Sequence, residues 1–163
     1  MDKNEFEKAK AAAYRFLSYR PRSRKETEKK LREKKFSQEI IKKTIDFLED
    51  NKYINDREFT LNWIRYRMEN RPLGRASLEY ELRKKGISSD LIEESLGEIY
   101  GDGFDEYEIA VKMAEKKMVS LKDKRKLSGY LQRKGFSYDT IERVIENILD
   151  LRPLIESVRG CKL

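Results

Sequence analysis

Arginine is the residue type here with the clearest chemical use. Arg20, Arg22 and Arg24 crowd around Pro21, and Arg71 and Arg75 flank Pro72, 51 positions later. A guanidinium is a planar five-donor fork that grips a phosphate or a carboxylate through two parallel hydrogen bonds. Two readings of these turns stay open. Either they present the forks to phosphate or to carboxylates on a protein surface, or they are solvated bends between helices. The basic stretches that follow pose the same choice. Lys25, then Lys84 and Lys85, then Lys124, Arg125 and Lys126 could track a nucleic acid or an acidic groove, or simply keep a poorly apolar helix in solution. A third set is acidic. Glu93, Glu94 and Glu98 lie in a stretch, Gly86 to Val111, with eight acids and no base. Such a block repels phosphate and suits a basic patch on a protein partner, or else balances the charge of its neighbours.

Nucleophilic and metal chemistry have little to work with. The chain has no histidine, which excludes His-dependent triads and His metal ligands. Paired carboxylates such as Glu93-Glu94 are too ordinary to read as an acid/base couple. Gly101-Asp102-Gly103-Phe104-Asp105 lacks the ligand order of a calcium loop. Only two residues follow Cys161, so a prenylation box is not expected. No catalytic residue, no metal and no cofactor are expected, and the chain is not expected to be an enzyme. Tyr14, Tyr19, Tyr66, Tyr80, Tyr130 and Trp63 could stack on bases, but at helical spacing they read mainly as packing.

The elements that position these residues repeat. Leu31 to Leu48, Leu82 to Ile99 and Leu131 to Ile148 follow one plan: a leucine, a basic run, a turn hydrophobe, a serine, then apolar residues at helical spacing. The turn hydrophobes Phe36, Ile87 and Phe136 are 51 and 49 residues apart, a repeat period. Gly86 and Gly135 suit a helix end that needs positive φ, and Lys35 in the first copy predicts a looser turn. Ser37, Ser88 and Ser137 are placed to cap the next helix. Each unit therefore reads as three helices. The first is expected over about 7–19 after a loose lead-in, the second over 24–34 behind Ser23, the third over 38–51. The second unit follows with helices near 57–70, 76–85 and 89–100, Asp56 being placed to cap the first of them. After a flexible joint at Gly101-Asp102-Gly103, Asp105 is placed to cap the seventh helix. The Arg-Pro turn becomes Ser120-Leu121-Lys122-Asp123-Lys124, the eighth helix follows near 126–134, and the ninth ends near Leu149, with Pro153 breaking the pattern.

Charge keeps phase with this period. Net charge is +6 over 20–35, −2 over 36–62, +4 over 65–85, −8 over 86–111 and +7 over 112–134, within a total of +7. Mean hydropathy is −0.86 and 41% of residues are charged, so the helices must be thin and solvated. No apolar run reaches membrane-span length, and one cysteine allows no internal disulfide. A cytoplasmic protein without membrane attachment is expected.

Several segments, in order and spacing, resemble the bacterial RecX regulatory family. They are Tyr14-Arg15-Phe16-Leu17-Ser18-Tyr19-Arg20-Pro21-Arg22-Ser23-Arg24, Leu31 with Lys35-Phe36, Tyr53-Ile54-Asn55-Asp56-Arg57-Glu58-Phe59, Arg71-Pro72-Leu73-Gly74, Leu82-Arg83-Lys84-Lys85-Gly86-Ile87 and Leu131-Gln132-Arg133-Lys134-Gly135-Phe136. The resemblance covers about Ala9 to Leu149. Asn51-Lys52 and Lys35 stand where glycine is usual, and Thr60 where alanine is usual. The resemblance implies an all-α, elongated curved array of three tandem three-helix repeats: 1–55, 56–104 and 105–150, with a tail over 151–163. It implies a monomer that lies in the groove of the RecA nucleoprotein filament and modulates, most strongly by inhibition, its ATPase, strand-exchange and coprotease activities in DNA repair and recombination. Single- or double-stranded DNA is a further partner it allows. The alternative reading is a basic helical DNA-binding module acting without a recombinase.

Overall fold

A computed structural model describes residues 3–101, 105–118 and 123–159, with side chains over 4–101, 105–118 and 123–148. All regular structure among the described residues is helical: α1 (Lys3–Leu17), α2 (Arg24–Glu33), α3 (Gln38–Asp50), α4 (Asp56–Asn70), α5 (Arg75–Lys84), α6 (Ser89–Gly101), α7 (Glu106–Met118), α8 (Lys124–Arg133) and α9 (Tyr138–Arg159). The chain forms two compact units, Met1–Trp63 with Glu81–Ser95 and Ile64–Tyr80 with Leu96–Leu163. The repeat of the sequence and the compact units of the fold thus differ: α4, α5 and α6 are each divided between the two units.

In the first unit α1, α2 and α3 pack on one another. Ala9 and Ala13, one turn apart on α1, are fully buried, and their small size lets the helices approach closely. Around them pack Leu31, Ile40, Ile41, Ile45, Leu48 and Ile54. Of the strongly charged α2, only Thr27 and Leu31 are buried, so its ends must hold it. Ser23 accepts from the Glu26 amide while its own amide donates to the Glu26 carboxylate, each at 3.2 Å, a reciprocal capping box. The expected loose lead-in is instead helix from Lys3. Phe6 explains it: its ring meets Phe47 edge-on at 6.0 Å, with Lys10 and Lys43 ammoniums 4.7 and 4.6 Å from its centre.

The second unit contains α7, α8 and α9, which also pack pairwise. Ala110 and Ala114 repeat the small pair of α1, and Leu127, Leu131, Phe136, Ile141, Val144 and Ile148 complete that core. The last helix runs past the expected stop at 149, through Pro153. The helix continues although a proline inside it removes one backbone donor and crowds the carbonyl four residues earlier. The joint at Gly101-Asp102-Gly103 and the Ser120-Leu121-Lys122 turn lie outside the described residues, except for Gly101, which closes α6.

The three basic-helix turns are alike, and Lys35 does not loosen the first. Its φ is +64°, beside +85° at Gly86 and +84° at Gly135. The amides of Phe36, Ile87 and Phe136 all reach back to the leucine five residues earlier, at 3.4, 3.1 and 3.3 Å. The hydrogen-bonded turn and the buried leucine impose the left-handed conformation, and the lysine bears the strain.

Candidate partner-binding surface

Within each unit an Arg-Pro turn docks on the basic-helix turn of the following repeat. In the first unit the Ser23 hydroxyl donates to the Lys85 carbonyl at 2.5 Å. The second unit brings backbones together directly: the Gly74 amide donates to Lys134 O at 2.8 Å and the Ala76 amide to Gly135 O at 3.2 Å. A Cβ on Gly74 would lie 2.3 Å from Gly135 backbone atoms, which is why only glycine fits.

Each docked turn opens a helix whose N-terminus receives a carboxylate from the next repeat. Asp56 accepts from the Arg24 amide at 2.7 Å, and Glu106 accepts from the Arg75 amide at 2.8 Å. The second oxygen of Glu106 accepts from Thr140 at 3.3 Å. Sequence reasoning placed Asp56 as the cap of α4. That cap is Asn55, whose side chain accepts from the Arg57 and Glu58 amides at 3.0 and 3.1 Å. Asp105 does cap α7, accepting from the Tyr107 amide at 2.9 Å. Burial pushes the Asp56 carboxyl above its ordinary value, against the lowering effect of the Arg24 amide. Both helix N-termini, ready-made anion sites, are thus filled by the chain itself.

The arginines of the first turn are also committed internally. Arg20 donates to Glu26 at 2.7 Å and to the Pro21 carbonyl at 2.9 Å. Arg22 stacks over Phe16, 4.2 Å from its centre, and burial lowers its pKa, with Arg20 adding to the effect. Arg24 pairs with Glu28 at 3.0 Å and with Glu49. Burial by itself would raise the Glu26 carboxyl, but Arg20, the Ser23 amide and Lys85 hold it below its usual range. In the second turn Arg75 pairs with Glu79 at 3.1 Å. Arg71 is exposed and forms no ion pair among the described residues.

The lysines divide likewise. Lys85 is half-buried, its ammonium 3.9 Å over the Trp63 ring and 3.8 Å from Glu26, and burial lowers its pKa. Lys25 is exposed at its tip while its stem covers Gly86. Lys84 is exposed. So are Lys124, Arg125 and Lys126 at the start of α8, which form no ion pair among the described residues. Of the acids, Glu93 and Glu94 are exposed, Glu94 lying 3.6 Å from Arg57, and Glu98 is half-buried. Trp63 and Tyr130 are half-buried as expected, but Tyr14, Tyr66 and Tyr80 are exposed, because they fall off the apolar stripes of their helices, and Tyr19 is exposed in the turn after α1.

Two open grooves, which the sequence did not disclose, accompany the Arg-Pro turns. One, of about 570 Å³, lies in the first unit between the end of α1, Pro21 and the start of α4; Leu17, Tyr53, Glu58 and Phe59 line it. The other, of about 530 Å³, lies in the second unit between the end of α4, Pro72 and the start of α7; Met68, Glu108, Ile109 and Tyr130 line it. No cluster of three acids, cysteines or histidines able to hold a metal occurs among the described residues, and none of their helices is long and apolar enough to cross a membrane.

Comparison with known proteins gives one answer throughout. Residues 9–48, 55–96 and 105–145 match, in order, the family models described as the first, second and third three-helix domains of RecX. The curated "Regulatory protein RecX" of Prosthecochloris aestuarii is 34% identical over 154 residues, covering 91% of this chain and 99% of that protein. That of Clostridium perfringens is 34% identical over 153 residues, 89% of this chain and 70% of that one. That of Bacillus subtilis is 38% identical over 151 residues, 89% of this chain but only 56% of the longer relative. The crystal structure of RecX from Lactobacillus salivarius superposes with a TM-score of 0.79 at 33% identity, covering 91% of this chain and 98% of that one. Three three-helix repeats in order, with one curated relative and one solved structure matched nearly end to end, establish that the chain belongs to the RecX family of regulatory proteins.

Proposed function

We propose that this protein binds along the RecA nucleoprotein filament and restrains it, lowering ATP turnover, strand exchange and coprotease activity during DNA repair and recombination. It does so as a cytoplasmic monomer without a cofactor. The carrying observation is recurrence: the turn docking and the lined groove appear once in each unit, at matched sequence positions. A chain of like units suits a partner of like subunits, because each contact is repeated and many weak contacts sum. By bridging neighbouring subunits the protein would oppose the rearrangement coupled to ATP turnover or block entry of a second DNA. The hydrogen bonds of Arg20, Arg24 and Arg75 to internal carboxylates also favour a protein partner over phosphate, since a committed fork has few donors left.

The test is the ATPase rate of RecA on single-stranded DNA as this protein is titrated in, with its binding to bare DNA followed at the same salt. Inhibition at concentrations well below those that coat bare DNA is expected. Inhibition that merely tracks DNA occupancy would overturn the reading. One observation favours a second reading, a DNA-binding module: Lys124, Arg125 and Lys126 stand exposed together at the start of α8. Neutralisation of duplex phosphates would then appear as a slope of log affinity on log salt near −0.9 per phosphate, as expected for counterion release from B-DNA.

A further inference from the structure

We propose that the groove of the first unit receives an acid-rich segment of the partner's protein subunits, with one apolar side chain on its floor and a carboxylate on Arg22 and Lys52. The proposal deepens the function above and rests on it for the source of the segment. Leu17 and Pro21 here stand 51 residues before Met68 and Pro72 of the second groove, so the two grooves share a place in the repeat. Their charges differ. The charged lining of the second is Lys112, Lys116 and Lys117 against Glu69, Asp105 and Glu108, a balance. That of the first is Arg20, Arg22 and Lys52 against Glu58 alone, net +2. Glu26, Glu81 and Lys85 stand behind it, and with them four bases still face three acids. The first groove therefore favours an anion, and the second favours neither sign.

Two of the three lining bases are short of an acid. Arg20 is committed, donating to the Glu26 carboxylate at 2.7 Å and to the Pro21 carbonyl at 2.9 Å. Arg22 stands 3.9 Å from that same carboxylate, beyond hydrogen-bond reach, and its buried Nε has no hydrogen-bond partner among the described residues. Lys52 is exposed and pairs with no acid among the described residues. The aromatic lining decides between a protein segment and a nucleic acid. Single strands are held by bases stacked on open ring faces. Tyr14 and Tyr53 instead meet edge to face, 5.0 Å apart with 68° between their planes, and leave no parallel slot between them. Phe59 is stacked on Trp63 and only 6% exposed. A phosphate alone would leave the apolar floor of Leu17, Pro21 and Phe59 unused. An apolar side chain beside a carboxylate satisfies floor and rim together, and the groove, about 570 Å³ and open to solvent, admits it.

The test is a calorimetric titration of the full chain with a short peptide in which one leucine is flanked by glutamates. The same peptide with lysines for the glutamates, oligothymidylate and inorganic phosphate are titrated at the same salt. The acidic peptide is expected to bind and the lysine peptide is not. Lys52→Asn removes a charge and suits that position's positive φ; it should weaken the acidic peptide about threefold. Asn62→Trp, at an exposed lining position, fills the groove and should weaken it about tenfold. Glu58→Gln removes the lone lining acid and should strengthen it about threefold, a gain that misfolding cannot produce. Any oligothymidylate or phosphate binding should be the same in parent and variants. Excess acidic peptide should also displace the chain, labelled at its sole cysteine, Cys161, from RecA filaments on single-stranded DNA. If the acidic peptide does not bind, or binds parent and variants alike, the groove proposal fails while the filament function stands on the ATPase titration. Oligothymidylate binding more tightly than the peptide, and losing affinity in Lys52→Asn and Asn62→Trp, would overturn the protein segment as occupant. A peptide that fills the groove yet leaves the chain on the filament would refute the source proposed for the segment. Should the parent not bind the filament at all, function and proposal fall together.

Discussion

Replacement of Gly74 by alanine tests the turn-to-turn docking most directly. The added Cβ would sit 2.3 Å from the carbonyl carbon and oxygen of Gly135 and from the Phe136 amide nitrogen, all backbone atoms that no rotamer change can move. The turns must separate by close to an ångström. Two backbone hydrogen bonds then go, Gly74 to Lys134 at 2.8 Å and Ala76 to Gly135 at 3.2 Å. Gly74 is buried, so its amide would be left short of a partner. Each bond contributes about 1 kcal/mol net, and a stranded buried donor costs about 1–3 kcal/mol, so the loss should total about 2–4 kcal/mol. Gly97→Ala is the control. Its Cβ meets nothing within 4 Å in the exposed middle of α6, and alanine there should add about 0.5–1 kcal/mol by intrinsic helix preference. Urea unfolding followed by circular dichroism measures both. Hydrogen exchange at the Gly74 and Ala76 amides should accelerate in the first variant only. A Gly74→Ala loss under about 0.5 kcal/mol, with unchanged exchange, would refute the docking account, since surface substitutions commonly fall in that range.

Two further outcomes follow from local geometry. Lys35→Gly should stabilise the chain by about 1 kcal/mol, the relief of a left-handed L-residue less the greater freedom of unfolded glycine, read as a higher urea midpoint. Glu26 has its folded pKa depressed below the ordinary 4.5, so its contribution is full above that value and is lost as pH falls through the depressed one. Glu26→Gln should therefore flatten the acid limb of the stability–pH curve below about pH 4.5 and lower stability at neutral pH; an unchanged acid limb would show that the Arg20 and Lys85 contacts do not bind the carboxylate.

The sequence by itself determined the repeat, the number and order of the helices, and most of their ends. Those features are local: apolar spacing, a capping serine or aspartate, and a glycine or lysine at a turn act within a few residues of one another. It also determined the phase of the charge. What lay beyond it depended on partners far along the chain. Asp56 has the composition of an ordinary helix cap, and only the fold shows its carboxylate on the amide of Arg24, 32 residues away. Arg24 has the composition of a phosphate ligand with only Glu28 one helical turn away to answer it, and only the fold sets Glu49, 25 residues on, against it. Phe6 sits in what reads as a loose lead-in until Phe47 is placed beside it. The grooves need residues from two repeats at once, so no single stretch announces them, although their equal offsets could have been tested once the period was known. Tertiary structure decided which charges face inward, because an ion pair depends on distance in space, and distance along the chain does not reveal it.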